Sequence, residues 1–399
     1  MQINELHFLV VEDHGFQRWM AANLLESLGA KYVFSASDGR EALLILEDRE
    51  PPIDIIVTDL DMPGMDGMEF IRHVAEGKYP AALIVASAME PALVASVEAM
   101  ARAYGVQLLG AIPKPLTAKK VKEAIAGHLV AAHVNAYAQP RSFSVEQLAA
   151  GLERGEFEPF FQAKIVSNTQ ATSGAEAVAR WRNPKHGIVR PQDFIESMEE
   201  SSLIDALTEM VVKEAAHNCG RWREAGLDIN VSVNLSGKSL QDVSLADRLA
   251  KIVAGQGLEP KHLVFEVTES VATGDLGRAL ENLSRLRMRG FGLSIDDYGT
   301  GYSSMERLTR VPFTELKIDQ SFVKNAATQP SSRAVVESSL EMAAKLGIVA
   351  VAEGVETRSE WDLVRALGCP LAQGYYFARP MDATEFMTWL RTPKRASAG

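Results

Sequence analysis

Cysteine is nearly absent. Only Cys219 and Cys369 occur among 399 residues, too few for a disulfide framework and in no metal-ligand spacing. That excludes a disulfide-stapled secreted scaffold and points to a reducing cytoplasm. Long apolar runs are also missing. The run Phe8 to Val11 is cut off by Glu12 and Asp13, too early for a signal-peptide core. No later stretch reaches the roughly 18 apolar residues of a spanning helix, so a soluble protein with no membrane partner is expected. Nor is positive charge in excess. Lys and Arg number 41 against 52 Asp and Glu, for a net charge of −11. This balance opposes non-specific attraction to nucleic acid or to an anionic leaflet, so a nucleotide ligand would need a metal or local cations. The C-terminal RTPKRASAG stretch supplies no basic recognition helix either, which disfavours a transcription factor.

What is present is ordinary globular material, 47% hydrophobic and 23% charged, in a chain long enough for two domains. From Leu6 to about Val130 short apolar runs alternate with helical patterns: FLVVED, a helix through Trp19 and Leu25, YVFSA, a helix at Ala42 to Leu46, and DIIVTD. Next come a helix near Met68 to Ala75, ALIVASA, a helix from about Pro91 to Tyr104, LLGAIPKP, and a helix from Ala118. Five strand-then-helix repeats predict a doubly wound (βα)5 domain whose ligands gather at the carboxyl ends of the strands. The period is then lost around Pro140, so the boundaries are set at 1–131 for this domain, 132–144 for a linker and 145–395 for a second domain. The second contains eight strand-like runs: PFFQAKI, GAEAVARW, INVSVNLS, LVFEVTE, FGLSIDD, ELKID, IVAVAEGVE and LAQGYYFA. Eight strands in about 250 residues match an α/β barrel. Nearly every run ends in or near a polar residue, and a barrel brings such ends to one rim.

In the first domain Glu12, Asp13, Asp59, Ser87 and Lys114 all fall at or just after strand ends. A hard divalent cation held by oxygens relieves the repulsion among three carboxylates. Asp59 could then attack a phosphoryl donor while Lys114 and the metal neutralise the transferred group. Any single acidic strand end is equally a solvated loop residue; the five in this order carry the reading.

In the second domain the sharpest feature is IDDYGTGYSS, Ile295 to Ser304. Adjacent strand residues point oppositely, but at a strand end Asp296 and Asp297 can face one site. Paired carboxylates invite two bridged cations, the device that attacks a phosphodiester in line. Glu176, Asn234, Glu266 and Glu353 are the remaining ligand candidates, and oxygen-rich ligation favours Mg²⁺ or Mn²⁺ over zinc. Lys317 could steady the attacking hydroxide or a phosphate oxygen, or could simply pair with Asp319. Glu269 reads as a brace for the glycine-rich loop, in which Gly299 and Gly301 permit sharp bends.

With these residues in view, VVED, VTDLDMPGMDG, Ser87 and Lys114-Pro115 resemble the receiver domain of two-component response regulators. The region from FEPFFQAKI through EAVAR to LAQGYYFARPM resembles the EAL domain of cyclic di-GMP phosphodiesterases. The first resemblance implies that Asp59 accepts phosphate from a cognate sensor histidine kinase. It also implies that Glu12, Asp13, Asp59 and the Asp61 carbonyl hold Mg²⁺, and that Ser87 and Lys114 bind the phosphoryl oxygens. The second implies a modified TIM (β/α)8 barrel that hydrolyses cyclic di-GMP to 5′-pGpG with two Mg²⁺ or Mn²⁺ ions. Glu176, Asn234, Glu266 and Asp296 would hold one ion; Asp296, Asp297 and Glu353 would hold the other. Glu353, Lys317 and Asp297 would be catalytic. Gln162, Arg180, Asp319 and Gln373 would contact substrate, Glu269 would secure the loop, and Glu356 would lie behind the ligands. A homodimer or higher homo-oligomer is the family expectation.

Three departures stand out: Ala111 where an aromatic switch residue is common, Val178 where the signature has leucine, and Ala163 where proline is usual. None removes an oxygen ligand. The other functional class weighed, a catalytically silent cyclic di-GMP sensor acting through protein contacts, would typically lack one or more of these ligands.

Overall fold

The computed structural model describes residues 3–87, 96–97, 100–101, 103–125, 143–268, 275–299 and 311–392. The chain forms two compact units, Met1–Gln139 and Pro140–Gly399, which divide within the stretch expected to be a linker.

The first unit is a five-stranded sheet in the order β2-β1-β3-β4-β5. The strands are β1 (His7–Val11), β2 (Tyr32–Ala36), β3 (Ile55–Asp59), β4 (Ala82–Ser87) and β5 (Leu108–Pro113), all paired in parallel. The continuous apolar runs are explained by burial on both faces. Phe8, Val10, Ile55, Val57 and Ile84 pack on one side; Leu9, Val11, Ile56, Leu83 and Val85 pack on the other. Helices α1 (Gly15–Ser27), α2 (Gly39–Glu47) and α3 (Gly67–Glu76) follow the first three strands. Asp38 and Asp66 cap α2 and α3 by accepting hydrogen bonds from first-turn amides. At Gly67 a side chain would strike the carbonyl oxygen of Asp59, since a Cβ there would lie 2.4 Å from it. Glycine thus lets the start of α3 press against the end of β3. Much of the helix expected over Pro91 to Tyr104 lies outside the described residues, whereas residues 118–125 are helical as expected.

The second unit closes into a ring of eight strands, β6-β14-β13-β12-β11-β10-β9-β7, with β6 pairing back to β7. The members are β6 (Phe157–Val166), β7 (Thr172–Asn183), β9 (Asn230–Asn234), β10 (Leu263–Thr268), β11 (Gly292–Tyr298), β12 (Glu315–Ile318), β13 (Val349–Ala352) and β14 (Leu371–Ala372). Strand β6 runs antiparallel to both neighbours, the modification of an otherwise parallel barrel. A short strand β8 (Gly187–Val189), not anticipated from the sequence, extends the edge of β7.

The run LAQGYYFA needs correction, because only Leu371 and Ala372 are strand. Gly374 sits against the backbone of Val355, where a Cβ would come within 2.0 Å of the carbonyl oxygen, and residues 375–377 turn away. Alternation along the ring sorts the side chains. Phe161, Ala163, Ala175, Ala177, Phe265, Leu293, Leu316 and Ala350 join the core between strands and helices. Their neighbours Gln162, Lys164, Glu176, Glu266, Ser294 and Lys317 are buried polar residues, which leaves them the barrel interior. Among the described residues no helix is long and apolar enough to cross a membrane.

Candidate functional site

The barrel interior carries charge where such folds usually stack Val, Ile and Leu. Lys317, on β12 with a side chain only 1% exposed, is its centre. Its Nζ lies 2.6 Å from Glu266, 2.7 Å from Glu353, 2.9 Å from Asp296 and 3.6 Å from Glu176. These carboxylates come from β10, the end of β13, β11 and β7 respectively. The expected alternative, an ion pair between Lys317 and Asp319, is not formed. Asp319 instead caps the helix Gln320–Asn325 by accepting from the Ser321 amide at 2.9 Å, because the strand ends at Ile318 and Asp319 already belongs to the helix start.

Asp297 joins Asp296 through a local irregularity. The β11–β12 register shifts between Ile295 and Tyr298, and Asp297 adopts φ 54°, a left-handed conformation that non-glycine residues seldom take. One extra residue in the strand cancels the alternation that would turn Asp297 away. Ligand oxygens of Asp296, Asp297 and Glu353 consequently lie within 4.8 Å of one another.

Crowding and burial set the proton affinities. Burial pushes Glu353 well above the ordinary carboxylate value, with Asp296 and Glu176 adding to the rise against the pull of Lys317. Asp296 and Asp297 are raised by burial too, Asp297 further by Asp319. Burial opposes the charge on Lys317, yet the surrounding carboxylates hold it well above its usual value. Glu266 behaves oppositely: burial disfavours its charge, but Lys164 and Lys317 bring it down to about 2.

The other expected residues fall around this centre. Asn234 donates to Glu176 at 2.8 Å. Gln373 donates to Glu176 at 2.6 Å and to Gln162 at 3.0 Å, so Gln373 braces Glu176 and is itself held by Gln162, which donates to the Ala378 carbonyl. Half-buried Arg180 donates to the Ala179 carbonyl. Glu356 is exposed and pairs with Lys324 at 3.0 Å, away from the carboxylates around Lys317. Gly299 takes φ 102° at the start of the loop after Asp297. Glu269 and Gly301 lie outside the described residues. Beside Asn234 a cavity of about 280 Å³ is walled by Val178, Pro191, Ile195, Leu207, Leu235 and Thr268.

Lys164 was not singled out from the sequence. It lies on β6 and bonds Glu266 at 2.8 Å, Glu315 at 2.6 Å and Ser232 at 2.7 Å. The available signal was a lysine inside the apolar run PFFQAKI, together with Glu315 two residues before Lys317 and hence on the same face.

In the first unit the strand ends assemble a second acidic group. Oxygens of Glu12, Asp13 and Asp59 lie within 4.8 Å of one another. Lys114 reaches Asp59 at 2.5 Å, Glu12 at 2.7 Å and Gln17 at 2.8 Å. Burial lowers its proton affinity, but the bonds to Asp59 and Glu12 outweigh that and raise it. Asp59 also accepts from the Leu60 amide at 2.7 Å and the Asp61 amide at 3.3 Å. The Asp61 side chain is exposed in the loop after β3. Ser87 ends β4, and its side chain lies outside the described residues.

Comparison with known proteins agrees with this architecture. Residues 145–380 match the EAL domain and residues 8–126 the response regulator receiver domain. The cyclic di-GMP phosphodiesterase RocR of Pseudomonas aeruginosa is 35% identical over 395 residues, spanning 97% of this chain and 99% of that protein. The bifunctional diguanylate cyclase/cyclic di-GMP phosphodiesterase MucR of the same organism is 36% identical over 255 residues, 64% of this chain but 37% of MucR. Among solved structures, the PaMucR phosphodiesterase in its c-di-GMP complex superposes with a TM-score of 0.58 at 37% identity, covering 61% of this chain and 98% of that one. The EAL enzyme Bd1971, bound to cAMP and cyclic di-GMP, gives a TM-score of 0.59 at 28% identity, covering 69% and 73%.

Proposed function

Because the chain belongs to the EAL domain family and carries a response regulator receiver domain, we propose that it hydrolyses cyclic di-GMP to 5′-pGpG. We further propose that phosphorylation of Asp59 by a sensor histidine kinase modulates the rate. The observation that carries the first part is the convergence of Glu176, Glu266, Asp296 and Glu353 on Lys317, with Asp297 brought alongside by the bulge.

A donor set of hard oxygens, with more carboxylates than ammonium groups, fits Mg²⁺ or Mn²⁺. Glu176, Asn234, Glu266 and Asp296 would hold one ion, and Asp296, Asp297 and Glu353 a second. When bound, such ions supply a more acidic water and neutralise phosphoryl charge. The protein's own groups do the rest. Glu353, with its proton affinity raised by burial, is suited to draw a proton from the attacking water. Lys317, held as an ammonium, cannot act as a base; it offsets charge building on a phosphoryl oxygen. The water oxygen bonds to phosphorus, the bond from phosphorus to the 3′ oxygen breaks, and a proton passes to that oxygen. Gln373, held in turn by Gln162, keeps Glu176 aimed inward, and the apolar cavity beside Asn234 has the character of a base pocket, with Val178 in its wall. Arg180 and Asp319 are the further substrate contacts.

In the receiver, Asp59 would be the phosphoacceptor. Glu12, Asp13, Asp59 and the Asp61 carbonyl would hold Mg²⁺, and Lys114 and Ser87 would bind the phosphoryl oxygens. The assignment extends to a homo-oligomer in the cytoplasm, with domain limits at 131 and 145.

Incubation of the purified chain with cyclic di-GMP and Mg²⁺ or Mn²⁺, followed by chromatography, tests the reading. Linear 5′-pGpG is the expected product. Tight binding with intact cyclic dinucleotide would instead establish a silent sensor.

A further inference from the structure

Glu266 is fully buried, and its two oxygens are divided between two ammonium groups: Oε1 receives Lys164 at 2.8 Å, and Oε2 receives Lys317 at 2.6 Å. The two lysines differ in what else they hold. Lys317 donates to the carboxylates proposed as cation ligands, so a bound cation competes with it directly. Lys164 is only 3% exposed, and its three protons are spent on Glu266, Glu315 and Ser232. The ammonium group has three donors. Neither Glu315 nor Ser232 is among the proposed ligands, so a cation at the mouth has no reason to dislodge Lys164.

We propose that Lys164 is a positioning residue that keeps Glu266 Oε1 away from the cation, restricts Glu266 to one coordinating oxygen, and thereby biases the site toward a small octahedral ion over Ca²⁺. The physical basis is that Mg²⁺ demands near-octahedral oxygens at about 2.0–2.1 Å, whereas Ca²⁺ accepts about six to eight oxygens at about 2.3–2.6 Å and readily takes a carboxylate through both. A carboxylate with one oxygen tied from behind suits the first ion and withholds a ligand from the second. Strand order supplies the rigidity. Lys164, Ser232, Glu266 and Glu315 stand on four different strands of one closed ring, so no single side-chain rotation releases Oε1. The inference rests on the cation reading of the mouth, and its test separates the two.

Calorimetric titration with Mg²⁺, Mn²⁺ and Ca²⁺ is carried out on the full chain bearing Asp13→Asn and Asp59→Asn, so that the heat reports the barrel. Lys164→Met is compared with Lys164→Met/Glu315→Leu, which removes one charge of each sign. Both are expected to shift the Ca²⁺ to Mg²⁺ affinity ratio toward Ca²⁺ by about tenfold or more, with circular dichroism unchanged in the double variant. If neither variant folds, Ser232→Ala decides, since it removes one anchor and no charge; a smaller shift in the same direction is expected. An unchanged ratio in the folded variants overturns the role of Lys164 alone. Absence of cation binding in the Lys164 parent overturns the cation reading and this inference together.

Discussion

The receiver crevice and the barrel mouth solve one electrostatic problem at two depths. Each gathers carboxylates at the carboxyl ends of parallel strands around a single lysine. In the open sheet, Lys114 is 19% exposed and pairs with two carboxylates; in the closed ring, Lys317 is 1% exposed and faces four. Only the barrel adds a second layer of charge beneath the first, Lys164 with Glu315. Water at the crevice can screen a charge that comes and goes, as the phosphorylation proposed at Asp59 would require. Within the ring screening is weak, so each buried carboxylate needs an opposite charge or a proton. One unit is built for a changing charge and the other for a standing one.

Removing a mouth ligand should produce the largest effect. Asp296→Asn and Glu353→Ala are each expected to lower turnover of cyclic di-GMP by about a thousandfold or more, the scale of losing several kcal/mol of charge stabilisation, with circular dichroism unchanged. Retained turnover in either would mean that the mouth is not the reaction centre.

The two lysines are the test of depth. Lys317→Met leaves buried carboxylates unanswered and should cost the barrel about 3–5 kcal/mol in denaturant unfolding without divalent ions. Lys114→Met should cost the receiver no more than about 1 kcal/mol. Equal losses would remove the distinction drawn between the two sites.

Acidity sharpens the contrast next. Asp296, Asp297 and Glu353 bind protons more tightly in the folded, cation-free barrel than their ordinary values allow, chiefly through burial. The folded state therefore holds extra protons, and these groups lower stability as pH rises through their raised values. A cation competes with those protons. Mn²⁺ at about a hundred times its dissociation constant should stabilise the barrel by about 2.7 kcal/mol near pH 8 and by less near pH 5. Thermal melts showing the reverse order would count against the carboxylates as the ligands.

Coupling between the units comes next in size. A small phosphodonor should change turnover of the wild-type chain by a factor of about 5–150 and leave Asp59→Asn unmoved. Identical rates in all four samples would make the crevice irrelevant to the mouth. The smallest expected change is in the proposed base pocket, where Val178→Leu restores about one methylene, worth about 0.8 kcal/mol, and should lower KM about fourfold with kcat unaltered.

Much of this architecture was legible in order and period. The apolar runs of the first unit located all five strands, and the polar residues at or near the ends of the barrel runs already pointed to one shared rim. Asp296 and Asp297 were legible as neighbours, though not the bulge that lets both face inward. Lys317 was legible as a cation among acids, but of its two readings the pair with Asp319 is not formed: Asp319 is nearer in sequence, while Glu176, Glu266 and Glu353 are nearer in space. Lys164 passed unnoticed for the same reason: its three partners lie 68, 102 and 151 residues away.

The sequence by itself determined where most of the strands run, that polar groups gather near the ends of the barrel strands, and which chemical groups are available, since these follow from side-chain periodicity and from the residue types; the short edge strand at Gly187–Val189 and the early end of the last barrel strand did not. Ring closure decided the rest: which carboxylate meets which lysine, that Glu266 is shared between two, and that Glu176 is braced by Gln373. Periodicity constrains a side chain's direction relative to its own strand, whereas ion pairs across a barrel depend on the stagger of strands far apart in the chain. That stagger is set by packing of the whole ring and is written in no local stretch of residues.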